Sequence, residues 1–283
     1  PSAQKPPKPS KKTRLGNPQP WLRELSDKGE SVYQQICEAR IEDVDGILDE
    51  YLGAPLEESL GESSQQQQKS PPSQQGVHMS ELRIIIKSLG DRDQNCDSDS
   101  DSDSDWKKAL KVFEFARKRP EFEHEGKGML SAILKILGKQ SQLVVASNLF
   151  NELEKDGYLL DVYAYTALLS AYSQCGKYQK ATWLVQKMQE GGCEPNLVTY
   201  NVMLDLYSKK GKPYGKSKSL VNKMKERGIA PDIYTYNTLI SACTNGSLCD
   251  EASWIFREMK LAGCIPDRVT YNALLDVYGK SGR

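Results

Sequence analysis

The chain has 283 residues, 38 Lys/Arg against 38 Asp/Glu, and 38% hydrophobic residues. The zero net charge is segregated: residues 1–20 carry five bases and no acid, residues 21–126 carry 13 bases and 24 acids, and residues 127–283 carry 20 bases and 14 acids. No apolar run approaches membrane-spanning length, and seven cysteines without a C-x-x-C pair argue for reduced thiols rather than a disulfide framework or a zinc site.

Residues 1–20 are Pro- and Lys-rich without apolar periodicity and are expected to be disordered. Such a basic, acid-poor segment fits either the remainder of an organelle transit segment or an ordinary basic tail. Residues 21–60 place Val32, Ile36, Val44, Leu48 and Leu52 at helical spacing, a short segment of one or two helices packing on the start of the following array. Residues 61–77, with Gln65 to Gln68 and Pro71-Pro72, read as a linker. Residues 78–126 read as a degenerate capping repeat, with helices at 79–89 and 106–117. Between them the alternating Asp/Ser run 97–105 concentrates like charges, which predicts an exposed, unstructured insertion. Phosphorylation there would let it compete with nucleic acid for basic surface; a plain solvated loop is the alternative.

From Lys127 onward the chain repeats itself. Ser131 to Thr166 is 35 residues, Thr166 to Asn201 is 35, Asn201 to Asn237 is 36 and Asn237 to Asn272 is 35. The units are 127–161, 162–196, 197–232, 233–267 and a truncated 268–283. A fixed period in this range means stacked supersecondary units, none able to bury its apolar face alone. Each reads as two helices. In the second unit these are Ala164 to Ser173 and Tyr178 to Gln189, separated at Cys175-Gly176 and closed by Gly191-Gly192 and Pro195. Ala146, Ala181 and Ala252 share one core position, Phe150, Val185 and Phe256 a second, and Leu153, Met188, Met224 and Met259 a third. The third unit has one extra residue near Lys212 to Gly215, which predicts a longer turn between its helices. The fold class is therefore all-α, a superhelical α-solenoid of helix–turn–helix repeats behind a disordered N-terminal region. Starting at Pro1 rather than Met and stopping within a repeat, the sequence reads as part of a longer chain.

First helices of stacked units line one face, so equivalent side chains form a track with one rung per unit, able to meet one base per unit. The T-Y-N near the start of three units, the G-x-x-P-D or G-x-x-P-N near their ends and the 35-residue frame resemble P-class pentatricopeptide repeats. The stretch V-T-Y-N-A-L-L-D-V-Y-G-K-S-G-R is similar to plant organellar, chloroplast-type members. The resemblance implies a right-handed superhelix that binds single-stranded RNA from an organellar transcript and acts in RNA processing, stability or translation. It implies a chloroplast location, with the mitochondrion as the alternative. It places base-reading pairs at Ser131 with Asp161, Thr166 with Asn196, Asn201 with Asp232 and Asn237 with Asp267, with Asn272 lacking its partner. By the family's code these read 5′-G-A-U-U-pyrimidine-3′. Tyr163, Val198, Tyr234 and Val269 take the base-sandwiching position, where Gly128 departs from the pattern. Lys139, Lys209 and Lys280 take a phosphate-facing position, replaced by Gln174 and Asn245 in the alternate units.

Asp accepts only, which suits the imino donors of G and U, whereas Asn both donates and accepts. The same residue types also cap helices and turn chains, a purely structural alternative. The tetratricopeptide repeat, a protein-binding scaffold, has a different period and signature. A third reading is the binding part of an RNA-processing enzyme whose catalytic part lies elsewhere. Only His78 and His124 occur, neither with a second histidine at helical spacing, so no catalytic residue, metal or cofactor is expected.

Overall fold

The computed structural model describes residues 24–52, 77–92, 102–209, 211 and 213–282. The basic segment 1–20, residues 61–76 of the linker and residues 97–101 of the acidic run lie outside the described residues. All regular structure among the described residues is helical, in two compact units that meet in sequence at Lys118 and Arg119.

The first unit holds α1 (Asp27–Glu38), α2 (Val44–Leu52), α3 (Met79–Arg92) and α4 (Ser102–Arg117), with a 3-10 turn at Ile41–Asp43. The apolar positions that set the helical period supply its core: Val32, Ile36, Val44, Leu48, Leu82, Ile85, Ile86, Leu89, Val112 and Phe113 are fully buried. Glu81 ties two helix starts together, accepting from the backbone N–H of Ser26 at 2.8 Å and of His78 at 2.9 Å. The acidic run corrects one expectation. The charge pattern predicts an unstructured insertion over 97–105, but α4 begins at Ser102.

The second unit contains a short α5 (Phe122–Glu125) and then the repeats as helix pairs: α6 (Lys127–Lys139) with α7 (Leu143–Lys155), α8 (Val162–Gln174) with α9 (Tyr178–Glu190), α10 (Leu197–Lys209) with α11 (Tyr214–Glu226), and α12 (Ile233–Cys243) with α13 (Cys249–Leu261). The α14 helix (Arg268–Ser281) is the first helix of the fifth repeat. Three residues separate α8 from α9; in the third repeat, where a longer turn is expected, residues 210 and 212 lie outside the described residues. Gly192, just after α9, has φ +73°, a left-handed conformation that glycine enters without strain.

The shared small position is fully buried at Ala146, Ala181 and Ala252, and Leu153, Met188, Met224 and Met259 fill the third core position. The second position behaves differently from expectation. Phe150 is buried, but Val185 and Phe256 are only half-buried, and in their repeats the deeper contact comes one residue earlier, at Leu184 and Ile255. Phe256 instead meets the ring of Tyr271 edge-on, with centroids 5.8 Å apart. Ion pairs Lys187–Glu154, Arg227–Glu194 and Lys225–Glu258 each join residues 33 apart and so cross from one repeat to the next. The solenoid is thus held by nearest-neighbour contacts that recur at the sequence period.

Candidate nucleic-acid interface

Each joint between repeats is built around the last residue of one unit, which is the N-cap of the next unit's first helix. Asp161 accepts the Ala164 N–H at 2.9 Å, Asn196 the Thr199 N–H at 3.0 Å, and Asp232 and Asp267 the Thr235 and Thr270 N–H groups at 2.8 Å each. The capping alternative weighed from sequence is therefore real, with a typical value of about 1 kcal/mol per cap. It leaves lone pairs and amide hydrogens over.

At two of the joints those remaining atoms bond the other member of the expected pair directly. Asn201 Nδ2 donates to the two Asp232 carboxylate oxygens at 3.2 and 3.3 Å, and Asn237 Nδ2 donates to Asp267 at 3.3 Å. Thr166 and Asn196 are linked through a third residue. The Thr166 hydroxyl lies 2.8 Å from the Thr199 hydroxyl, which donates to Asn196 Oδ1 at 3.0 Å. No hydrogen bond joins Ser131 to Asp161; Ser131 donates to the Gly128 carbonyl at 3.1 Å, in its own helix. Asn272 is exposed on α14. Among the residues expected to read bases, Ser131, Thr166 and Asn201 are half-buried and Asn237 is only 8% exposed, whereas Asp267 and Asn272 are exposed.

The flanking register has the opposite character. Tyr163, Val198, Tyr234 and Val269 are 65%, 55%, 47% and 55% exposed. Four large apolar side chains at one position of four successive first helices thus stand in solvent; elsewhere in the repeats Val144, Leu159, Trp183, Trp254, Leu261 and Ile265 are exposed as well. Lys139, Lys209 and Lys280 are exposed near the ends of α6, α10 and α14. Lys209 pairs with Asp205 at 2.7 Å. Both groups act on Tyr234: burial pushes its phenol up, Asp205 adds to this, and Lys209 works against it.

Burial alone would raise the Asp232 carboxyl, but hydrogen bonds from the Thr235 backbone and hydroxyl and from the Asn201 amide bring it below its ordinary value. The Asp267 carboxyl is lowered first by the Thr270 backbone N–H, against an opposing desolvation, with the Thr270 hydroxyl and Asn237 amide assisting. Both are anions at neutral pH.

Sequence reasoning missed the threonines at the joints. Thr199, Thr235 and Thr270 are buried, and each bonds both Thr166, Asn201 or Asn237 of the preceding unit and the unit-end cap. Their signal is the T that opens each of the three T-Y-N triplets. Ala164 takes that place in the second unit, and there the pair is not joined. Among the described residues, no cluster of His, Cys, Asp and Glu is arranged to hold a metal ion, and no helix is long and apolar enough to cross a membrane.

A pentatricopeptide repeat domain model matches residues 148–210 and 219–281, and a single-repeat model of the same family matches 198–229. A chloroplastic pentatricopeptide repeat-containing protein of Arabidopsis thaliana is 40% identical over 184 residues, covering 63% of this chain and 21% of that protein. The chloroplastic pentatricopeptide repeat-containing protein 10 of Zea mays is 37% identical over 148 residues, covering 52% of this chain and 18% of that protein. The chain thus spans about a fifth of the length of these relatives. Among solved structures, pentatricopeptide repeat protein PPR10 in complex with an 18-nt psaJ RNA element aligns with a TM-score of 0.57 and 28% identity, over 90% of this chain and 32% of that one. Period, joint geometry and these likenesses agree, and the chain belongs to the pentatricopeptide repeat proteins.

Proposed function

We propose that the repeats bind single-stranded RNA with one base per repeat, and that the protein acts on a chloroplast transcript by occupying it rather than by chemistry. The observation that carries this reading is the exposed row of Tyr163, Val198, Tyr234 and Val269. An aqueous solenoid gains nothing by exposing apolar groups at a fixed interval, whereas a row of bases entering between them recovers about 1–3 kcal/mol each from stacking. The recessed polar pairs behind the row offer hydrogen bonds to a base edge, and Lys139, Lys209 and Lys280 offer charge to the phosphates. The RNA element held by the matched PPR10 complex supports the ligand class, and the chloroplastic names of several relatives support the compartment. Bound RNA would be shielded from exonucleases or kept from folding near a ribosome site, which serves processing, stability or translation.

The test exchanges one rung. Asn201→Thr together with Asp232→Asn converts the third pair into the second. Binding to two oligonucleotides differing only at the third base should shift from favouring U to favouring A, by about tenfold in the ratio. An unchanged ratio refutes base reading by these residues.

A further inference from the structure

We propose that the second helices α9, α11 and α13 form a docking site for an acidic protein segment, which lays a carboxylate against Lys223 and apolar side chains on Trp183 and Trp254. The proposal does not depend on base reading. The first helices carry the base track, and the second helices form the other layer of the solenoid: α11 packs on α10 and α12, and α13 on α12 and α14.

The repeat register shows where an anion is missing. Lys187 pairs with Glu154 across the joint between the first and second repeats, and Lys225 pairs with Glu258 across the joint between the third and fourth. Both pairs join the same two register places, with the charges exchanged. At the joint between them those places hold Gln189 and Lys223, once the extra residue of the third repeat is allowed for. The lysine there is set against a neutral amide. Lys216, Lys218 and Lys223 are exposed, and among the described residues none of the three forms an ion pair. The α11 helix carries four lysines against the single acid Glu226, whereas α13 carries three acids against two bases. Charge of one sign concentrated on one helix attracts a segment of the opposite sign and steers its approach.

Two indoles flank that basic helix. Trp183 on α9 and Trp254 on α13 share one register place two repeats apart and are 52% and 54% exposed. The same place holds Asn148 in the first repeat and Ser219 in the third, so packing of the repeats does not call for an indole there. Each ring carries a cation: Lys187 lies 5.0 Å from the Trp183 centroid, and Lys218 of α11 lies 5.6 Å from that of Trp254. These contacts hold the rings in place, so a partner meets anchors that are already ordered. Tryptophan is enriched where protein interfaces gain most of their energy. Packed helices lie about 8–10 Å apart, which sets the two indoles about 20 Å apart, the span of about six extended residues. The border selects a protein segment over other anions. Asp250 and Glu251 stand one turn before Trp254 on its own face of α13. A uniform polyanion or an anionic bilayer laid across the indole is repelled there, whereas a protein segment places a neutral or basic residue opposite those acids.

The experiment uses the full 283-residue chain and a fluorescein-labelled synthetic peptide, in which two phenylalanines flank about six residues rich in aspartate. Fluorescence anisotropy reads its binding against a counterpart with lysine in place of each aspartate. The aspartate peptide is expected to bind at least about tenfold tighter than the lysine one, and Trp183→Ala or Trp254→Ala should each weaken it by about tenfold or more. Gln189→Glu gives Lys223 the partner that Glu154 gives Lys187. It should weaken the peptide by about tenfold without lowering the thermal midpoint, which separates loss of the site from loss of the fold. The Asn201→Thr, Asp232→Asn exchange should leave peptide affinity unchanged, so this site and the base track fail separately. An aspartate peptide that does not bind, that binds no better than the lysine peptide, or that binds Gln189→Glu as tightly as the parent chain overturns the inference. So does a surface of another kind: Trp183→Ala and Lys223→Gln abolishing binding to a uridine oligonucleotide or to phosphatidylglycerol vesicles while the peptide is unaffected.

Discussion

At the scale of single residues, the joints use each side chain twice. Asp232 and Asp267 cap helices α12 and α14 and also hold the amides of Asn201 and Asn237. This double use has a pH signature. Both carboxyls lie below their ordinary value in the folded state, which for aspartate is about 3.9. The stability they confer is therefore complete above that value and is lost as pH falls through the lower, folded value. Thermal melting of the RNA-free protein should show a full and constant contribution from these caps between about pH 8 and 5 and a falling midpoint below about pH 4. Asp232→Asn should remove part of that fall, and a fall unchanged in the variant contradicts the assignment. The cap half of these roles was legible from residue type, since Asp after Pro before an apolar run signals a helix start. The threonine half was not, because one hydroxyl touching both a neighbour in its own turn and a residue 34 positions away is a fact of packing that no local pattern encodes.

At the scale of elements, helix existence was readable and helix contact was not. Alanine and methionine at fixed offsets located the core of each second helix, because only that periodicity buries one stripe. The half-burial of Val185 and Phe256 was not legible, since a side chain on the margin of the stripe keeps the same spacing as one at its centre. Close approach of first helices is another contact fact. A Cβ placed on Gly138 in α6 would lie 2.7 Å from the Cβ of Ala171 in α8 and 3.1 Å from its Cα. Backbone cannot yield there as a flexible side chain would. Gly138→Ala should therefore destabilise by about 1–3 kcal/mol through overpacking, although alanine is the better helix former. A lower denaturation midpoint by circular dichroism is the expected outcome, and an equal or higher one would show that the α6–α8 joint relaxes freely.

At the scale of the whole molecule, a period of about 35 residues does two things at once. It lets every repeat lean on its neighbours, through ion pairs such as Arg227–Glu194 and through shared apolar stripes. It also carries the exposed row and the recessed pairs forward at equal intervals, which is what a polymer with one base per step requires. The period was evident in the sequence and fixed both consequences. The recession of Asn237 and the looser first rung at Ser131 were not, because they depend on what the next unit lays against them. The most direct measurement is site-by-site photocrosslinking. An oligonucleotide reading G-A-U-U-U carries a single 4-thiouridine at its third or fourth base, and the crosslinked peptide is identified by mass spectrometry. With the label at the third base the crosslink should fall on Val198 or Tyr234, and at the fourth base on Tyr234 or Val269, advancing one repeat per nucleotide. Crosslinks that stay on one peptide wherever the label sits, or that fall on the second helices of the repeats, would contradict one-base-per-repeat binding.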